Sequence, residues 1–141
     1  VHIMAGNVAT RQAVDDLADW GADSARVGIG GGSICSTRIQ TGHGLPTLQT
    51  IIDCAQTTRD VKIVADGGIK TSGDIVKALS SCADFVMLGS LLAGTDEAPG
   101  DIYENRRGDK YKAYRGMASK EAQMDWHGRF SSLEGISTTI P

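Results

Sequence analysis

The chain has 141 residues, enough for one domain. Hydrophobic residues make up 40% and charged residues 22%, which excludes a disordered chain, and a net charge of −3 without a basic block gives no basis for nucleic-acid binding. No apolar run reaches the length of a bilayer span, and no segment has the layout of a signal peptide.

The first apolar run, His2-Ile-Met-Ala-Gly-Asn7, reads as a strand. Thr10 then caps a helix with Ala13, Val14, Leu17 and Ala18 on one face and Gly21 closing it. Ser24 to Gly30 is a second strand, and it runs straight into a glycine-rich loop. Leu45 to Ala55 carries Leu48, Ile51, Ile52 and Ala55 at helical spacing, with Pro46 in the first turn. Val61 to Gly68 is the third strand, Ser72 caps a helix that turns Ile75, Val76 and Leu79 inward, and Asp84 to Ser90 is the fourth strand. These strands are mostly apolar at consecutive rather than alternate positions, as expected where both faces of a parallel sheet are buried.

Alternation of strand and helix implies an α/β fold with a parallel sheet. Ala22-Asp23 followed by Val27-Gly28 recurs as Ala83-Asp84 followed by Leu88-Gly89, a weak repeat of two β/α units of roughly 30 residues each. Every strand ends in Gly, Asn, Asp or Ser. A doubly wound sheet concentrates its glycine turn at one switch point, whereas a (β/α)8 TIM barrel works through the whole ring of loops after its strands. The barrel is therefore favoured, with only its last four β/α units present, over residues 1–94. Residues 95–141 are expected to be a long irregular flap or lid segment, polar and poor in periodicity. The chain opens inside an apolar stretch, Val1 to Ala5, and stops at Ile140-Pro141 without a closing helix, so a piece of a longer protein is expected.

The stretch that carries most chemistry is Gly28-Ile-Gly-Gly-Gly-Ser-Ile-Cys-Ser-Thr-Arg38. Glycines let a backbone approach a ligand closely, and here they deliver Cys35 beside Ser36, Thr37 and Arg38, where amides and cations lower a thiol's pKa. A cysteine is more often a small buried hydrophobe, and that reading is kept for Cys54 and Cys82. Three cysteines without a Cys-x-x-Cys spacing argue against a disulfide framework or zinc site and suit a reducing, cytoplasmic setting. Asp66-Gly67-Gly68 and Gly89-Ser90 follow the third and fourth strands, where β/α barrels commonly hold phosphate, and Ser33 adds a hydroxyl. Asp66 is anionic and suits a ribose diol rather than phosphate. Arg26 within a strand needs a partner, and both it and Asn7 fit a structural polar network. His2, His43 and His127 have no metal-ligand spacing.

Together these residues resemble the catalytic barrel of the IMP dehydrogenase and GMP reductase family. The resemblance is carried by Gly6-Asn-Val-Ala-Thr10, Arg26-Val-Gly-Ile-Gly30, Gly32-Ser-Ile-Cys-Ser-Thr-Arg38, Thr41-Gly-His-Gly-Leu-Pro46, Ala65-Asp-Gly-Gly-Ile69, Phe85 to Gly94, Tyr114-Arg-Gly-Met117 and Glu134-Gly135. It implies that Cys35 attacks purine C2 to form a covalent thioimidate and that Thr37 assists proton transfer. It implies that Ser33, Gly68, Gly89, Ser90 and Tyr114 hold the 5′-phosphate, Asp66 the ribose, and Met117, Ala118 and Glu134 the base, with Gly67 and Gly116 also in the substrate site. It further implies a nicotinamide cofactor (NADPH or NAD), a homotetramer, and a monovalent cation such as potassium on the carbonyls of Gly30, Gly32 and Cys35.

Two reactions share this intermediate. The reductase branch turns GMP and NADPH into IMP and ammonia. The dehydrogenase branch turns IMP, NAD and water into XMP, using a flap with an Arg-Tyr pair to activate water. Here the segment from Gly116 to Glu134 is short, Met117-Ala118-Ser119 resembles the reductase pattern, and Arg129-Phe130 is the nearest approach to an Arg-Tyr pair. GMP reductase is expected first and IMP dehydrogenase second. Lys120 stands where many reductases carry an acid, with Glu121 adjacent, and Gly31 replaces a common proline and loosens the loop. A non-catalytic nucleotide-binding relative is the alternative of another class; Cys35, Thr37 and Asp66 weigh against it.

Overall fold

The structure is a computed structural model that describes residues 1–129 and 135–141. In chain order its elements are β1 (Met4–Val8), α1 (Arg11–Asp19), β2 (Ser24–Val27), α2 (Thr37–Thr41), α3 (Thr47–Cys54), β3 (Lys62–Asp66), α4 (Ser72–Ser80), β4 (Phe85–Met87), α5 (Ser90–Ala93), β5 (Ile102–Glu104), β6 (Lys110–Arg115), α6 (Lys120–His127) and β7 (Ser137–Ile140). They form two compact units, one of residues 1–31 and 44–88, the other of residues 32–43 and 89–141. The cysteine segment thus groups with the C-terminal tail.

The first unit is a four-stranded parallel sheet in the order β1-β2-β3-β4. Its β/α alternation is the one expected from the sequence; the sheet is open in this chain, with β1 and β4 as its edges. β2 is buried at Ser24, Ala25 and Val27, and β3 at Ile63, Val64 and Ala65, which explains their unbroken apolar character. Val14 of α1, Ile51 and Cys54 of α3, and Ala78 of α4 complete one apolar cluster with these strands.

Local chemistry sets the helix ends. Thr10 accepts the Ala13 amide at 3.3 Å, as expected, and Gly21 follows α1 at φ +97°. Three details differ from the sequence reading. Pro46 is the residue before α3 rather than in its first turn, since a fixed φ with no amide to lose suits the boundary. The cap of α4 is Thr71 rather than Ser72, in a reciprocal box with Asp74. That hydroxyl is the main reason the Asp74 carboxyl is held below the usual carboxylate range. The buried face of α4 carries Ala78 and partly Ile75, leaving Val76 and Leu79 exposed; in α3 it carries Thr50, Ile51 and Cys54, leaving Leu48 and Ile52 partly exposed.

The tail, expected to be irregular, carries regular strands and a helix. In the second unit β5, β6 and β7 form an antiparallel sheet in that order. Asn105 closes the β5–β6 hairpin, its Oδ1 accepting the amides of Arg107 at 2.8 Å and Asp109 at 3.1 Å. Tyr103 and Tyr111 stack as a directly opposed pair, with ring centroids 5.7 Å apart. Ser119 caps α6 and Gly128 ends it in the left-handed conformation. Lys112, on the middle of β6, is buried, and its ammonium donates to the carbonyls of Thr95 at 2.7 Å and Ala98 at 2.6 Å. A buried cation persists only when so bonded. Lys-Tyr-Lys-Ala-Tyr-Arg reads as solvated, and the buried lysine inverts the polarity by which a strand is recognised.

Candidate functional site

In the first unit the loop after β3 presents Asp66, Gly67 and Gly68. Arg26 Nε donates to Asp66 Oδ2 at 2.9 Å, and Asn7 Nδ2 donates to the same oxygen at 2.7 Å. Asn7 also reaches the Gly28 carbonyl at 2.6 Å. The polar network expected for Arg26 and Asn7 is therefore built on Asp66. Both of these donors lie on one carboxylate oxygen, so Oδ1 is directed elsewhere. The backbones are close here: Gly28 has φ +124°, and a Cβ on it would overlap the Asp66 carbonyl. Gly31 is packed rather than loosening, since a Cβ there would lie 2.8 Å from Thr47 Oγ1 and 3.3 Å from the Gly67 carbonyl carbon.

The second unit holds the thiol. Cys35 is half-buried and donates to Thr37 Oγ1 at 3.2 Å, with Thr37 opening α2. The Cys35 amide donates to the Gly32 carbonyl at 3.1 Å, closing the turn that presents the side chain. On either side the loop is fastened to the end of the chain: the Ile34 carbonyl accepts the Ile136 amide at 3.0 Å, and Ser36 Oγ accepts the Gly135 amide at 2.8 Å. Gly116 lies against the same loop, where a Cβ would sit 3.6 Å from Ile34 Cδ1 and 3.7 Å from Gly135 Cα. Met117 is exposed and Ala118 follows it, leading to the Ser119 cap of α6.

Of the residues expected to hold phosphate, Gly89, Ser90 and Tyr114 meet within this unit, while Gly67 and Gly68 belong to the first. Gly89 and Ser90 begin α5, and a Cβ on Gly89 would lie 2.7 Å from the Tyr114 hydroxyl, so only glycine lets that oxygen lie over the turn. Lys112 and Tyr114 share one face of β6, and the lysine holds the turn after α5 while the tyrosine covers the turn before it. Ser33 is exposed in the cysteine loop.

The other two thiols differ from Cys35. Cys54 is fully buried as expected, and burial, helped by the charge of Asp53, pushes its thiol up to about 11. Cys82 is exposed and not a core residue; it takes a left-handed φ of 69° just past the end of α4. Among the described residues no group of three or more His, Cys, Asp or Glu side chains is placed to hold a metal. The carbonyls expected to take a monovalent cation divide between the units, Gly30 in the first and Gly32 and Cys35 in the second. Carbonyl oxygen suits such an ion, and Gly32's oxygen keeps one lone pair beyond its bond to Cys35. Glu134 lies outside the described residues. Glu121, the acid adjacent to Lys120, is engaged: Ser137 Oγ donates to it at 2.7 Å and is the main reason its carboxyl is held below its ordinary range. Ser36 and Gly135 stand in the sequence only as members of longer motifs, and nothing in the sequence marks Lys112. Their roles lie in contacts across the chain, and only the glycine's turn-forming character was open to a sequence reading.

A family model described as the IMP dehydrogenase / GMP reductase domain matches residues 1–141. The chain belongs to this family. It is 54% identical over 132 residues to an inosine-5′-monophosphate dehydrogenase of Chlorobaculum tepidum, covering 91% of this chain and 26% of that protein. It is 53% identical over 153 residues to a GMP reductase of Leishmania major, covering all of this chain and 31% of the relative. Among solved structures, a GMP reductase of Trypanosoma brucei, a cysteine-to-alanine variant in complex with guanosine 5′-monophosphate, superposes with a TM-score of 0.93 at 44% identity. That match covers 99% of this chain and 30% of the other. The chain thus spans between about a quarter and a third of the relatives it matches. Alignments that include the whole chain run to 151 residues with a Thermoplasma acidophilum dehydrogenase and 153 with the Leishmania reductase. Each of these two relatives therefore carries residues without a counterpart in this chain.

Proposed function

We propose that this chain supplies the nucleophile and nucleotide-binding loops of a purine-nucleotide oxidoreductase, acting as a GMP reductase. The observation that carries the reading is the Cys35–Thr37 pair, 3.2 Å apart, in a loop fastened beside Gly116–Ala118. The thiol gives up its proton through the Thr37 hydroxyl, which both accepts and donates, and the thiolate adds to C2 of GMP. The C2 amine leaves as ammonia after protonation, which leaves the purine bonded to sulfur. A nicotinamide cofactor, when bound, supplies hydride to that carbon. Cys35 is half-buried and the neighbouring Ser33 is exposed. Release of Cys35 thiolate from C2 then frees IMP.

The chain's own residues do the holding. Tyr114 over Gly89–Ser90, with Ser33, serves the 5′-phosphate. Asp66, turned by Arg26 and Asn7, offers its other oxygen to the ribose hydroxyls. Met117-Ala118-Ser119 and a phenylalanine rather than tyrosine after Arg129 support the reductase over a water-activating dehydrogenase. IMP dehydrogenase is the second reading, supported by relatives of equal identity on that branch.

A paired assay on the complete protein separates them. NADPH-dependent release of ammonia from GMP is expected, and formation of XMP from IMP and NAD overturns the first choice. Incubation with a 2-chloropurine ribonucleotide should leave the purine on Cys35, with chloride displaced. Intact Cys35 by mass spectrometry would sink the enzyme reading altogether.

A further inference from the structure

Ser36 stands where a serine ordinarily caps its own helix. It precedes α2, yet its side chain makes no cap there. Instead its buried hydroxyl accepts the Gly135 amide, 99 positions away in the sequence. Ile34, on the other side of Cys35, accepts the next amide, Ile136. Both neighbours of the thiol are thus tied to two successive residues, and that fixes the direction in which the Cys35 side chain leaves the backbone. Gly135 has φ +77°, and a Cβ on it would lie 3.2 Å from the Ser119 nitrogen and 3.5 Å from the Ala118 carbonyl carbon. It is held between Ser36 on one side and Ala118–Ser119 on the other.

We propose that Ser36 is a positioning residue, whose hydroxyl, through Gly135, locks the base-facing segment Gly116–Ala118 to the loop that presents Cys35. The inference rests on Cys35 being the nucleophile. Its consequence is a split between two kinds of thiol reactivity. A purine held in place reacts fast only while the loop is locked. A small untethered alkylating agent reacts faster once the loop is free.

The test uses the complete protein and its Ser36→Ala and Ser36→Thr variants. Transfer of the purine from 2-chloropurine ribonucleotide, forming the C–S bond and releasing chloride, should slow about tenfold in Ser36→Ala, the scale of one lost hydrogen bond. Alkylation of Cys35 by iodoacetamide should quicken, with Cys54 still unmodified. The Thr variant, which keeps the hydroxyl, should restore both rates. Equal purine-transfer rates in Ser36→Ala and the parent overturn the proposal. So does alkylation of Cys54 together with Cys35, which would mark general loosening, or failure of Thr to restore. If the parent forms no purine adduct, the nucleophile reading itself fails, and the iodoacetamide ratio alone decides whether Ser36 holds the loop.

Discussion

The two units are held together by different forces. Nearly all of the buried apolar side chains lie in the first unit, from Val14 through Ala83; among the described residues the second contributes Ala122. The first also buries Asp15, Ser24 and Thr50, but among the described residues polar side chains outnumber apolar ones only in the second, where the buried polar residues are Ser36, Lys112 and Ser119. Each is satisfied, by Gly135, by two carbonyls, and by the Ala122 amide. Apolar packing is tolerant of detail, whereas a buried polar group demands one geometry. A site that must aim a thiol gains from the second kind of construction, and a scaffold that must only persist does well with the first.

The sharpest way to break this comparison is to remove the thiol. Cys35→Ala should cut turnover on the order of 10⁴-fold while nucleotide binding persists, because the covalent step is lost and the holding residues are not. Steady-state kinetics beside calorimetric titration with GMP reads both. A loss of binding equal to the loss of turnover would mean the residue serves the scaffold.

Gly28→Ala strikes the first unit where two backbones meet. Its left-handed φ and the overlap with the Asp66 carbonyl should cost about 3 kcal/mol, measured by urea unfolding. Retained stability would show that the loop relaxes. Lys112→Met strikes the second unit, leaving two carbonyls without their donor. A loss of about 2 kcal/mol is expected, confined to faster amide exchange along β5 to β7. Faster exchange in β1 to β4 as well would show that the loss is not local to this sheet.

The smallest effect concerns pH. The Cys54 thiol is raised from 9.0 to about 11 in the folded protein. The unfolded chain therefore sheds this proton first, and stability should fall as pH rises between those values. Cys54→Ala, though less stable throughout, should flatten that slope in denaturant titrations. An unchanged slope would assign the alkaline loss to other groups.

How legible each unit was in the sequence follows from the same contrast. Consecutive apolar positions mark β2 and β3 because burial on both faces writes itself into the chain. The cap at Thr10 is local and was equally readable. Thr71 and Ser72 both carry a hydroxyl that fits before the helix, and only Asp74's reciprocal bond distinguishes them. Cys35, Asp66 and Gly89 stand out as candidates through their neighbours in the sequence, and Thr37 and Tyr114 only through the resemblance to the family. The sheet of β5 to β7 was not, because its strands are short and its central buried residue is a lysine. Ser36 was invisible for a related reason: a serine before a helix has a local use, and nothing in its neighbourhood announces a partner near the chain's other end.

That separation has a consequence in time. Closing a loop of this length has a large entropy cost before any contact compensates for it, and such contacts form late. During synthesis the cysteine segment emerges well before residues 135 and 136 exist. Until they arrive the thiol hangs on an uncapped turn with neither neighbour fixed. The Cys35 loop is thus among the last parts of the chain to be fixed, and a molecule stalled short of Gly135 carries its thiol without those two hydrogen bonds.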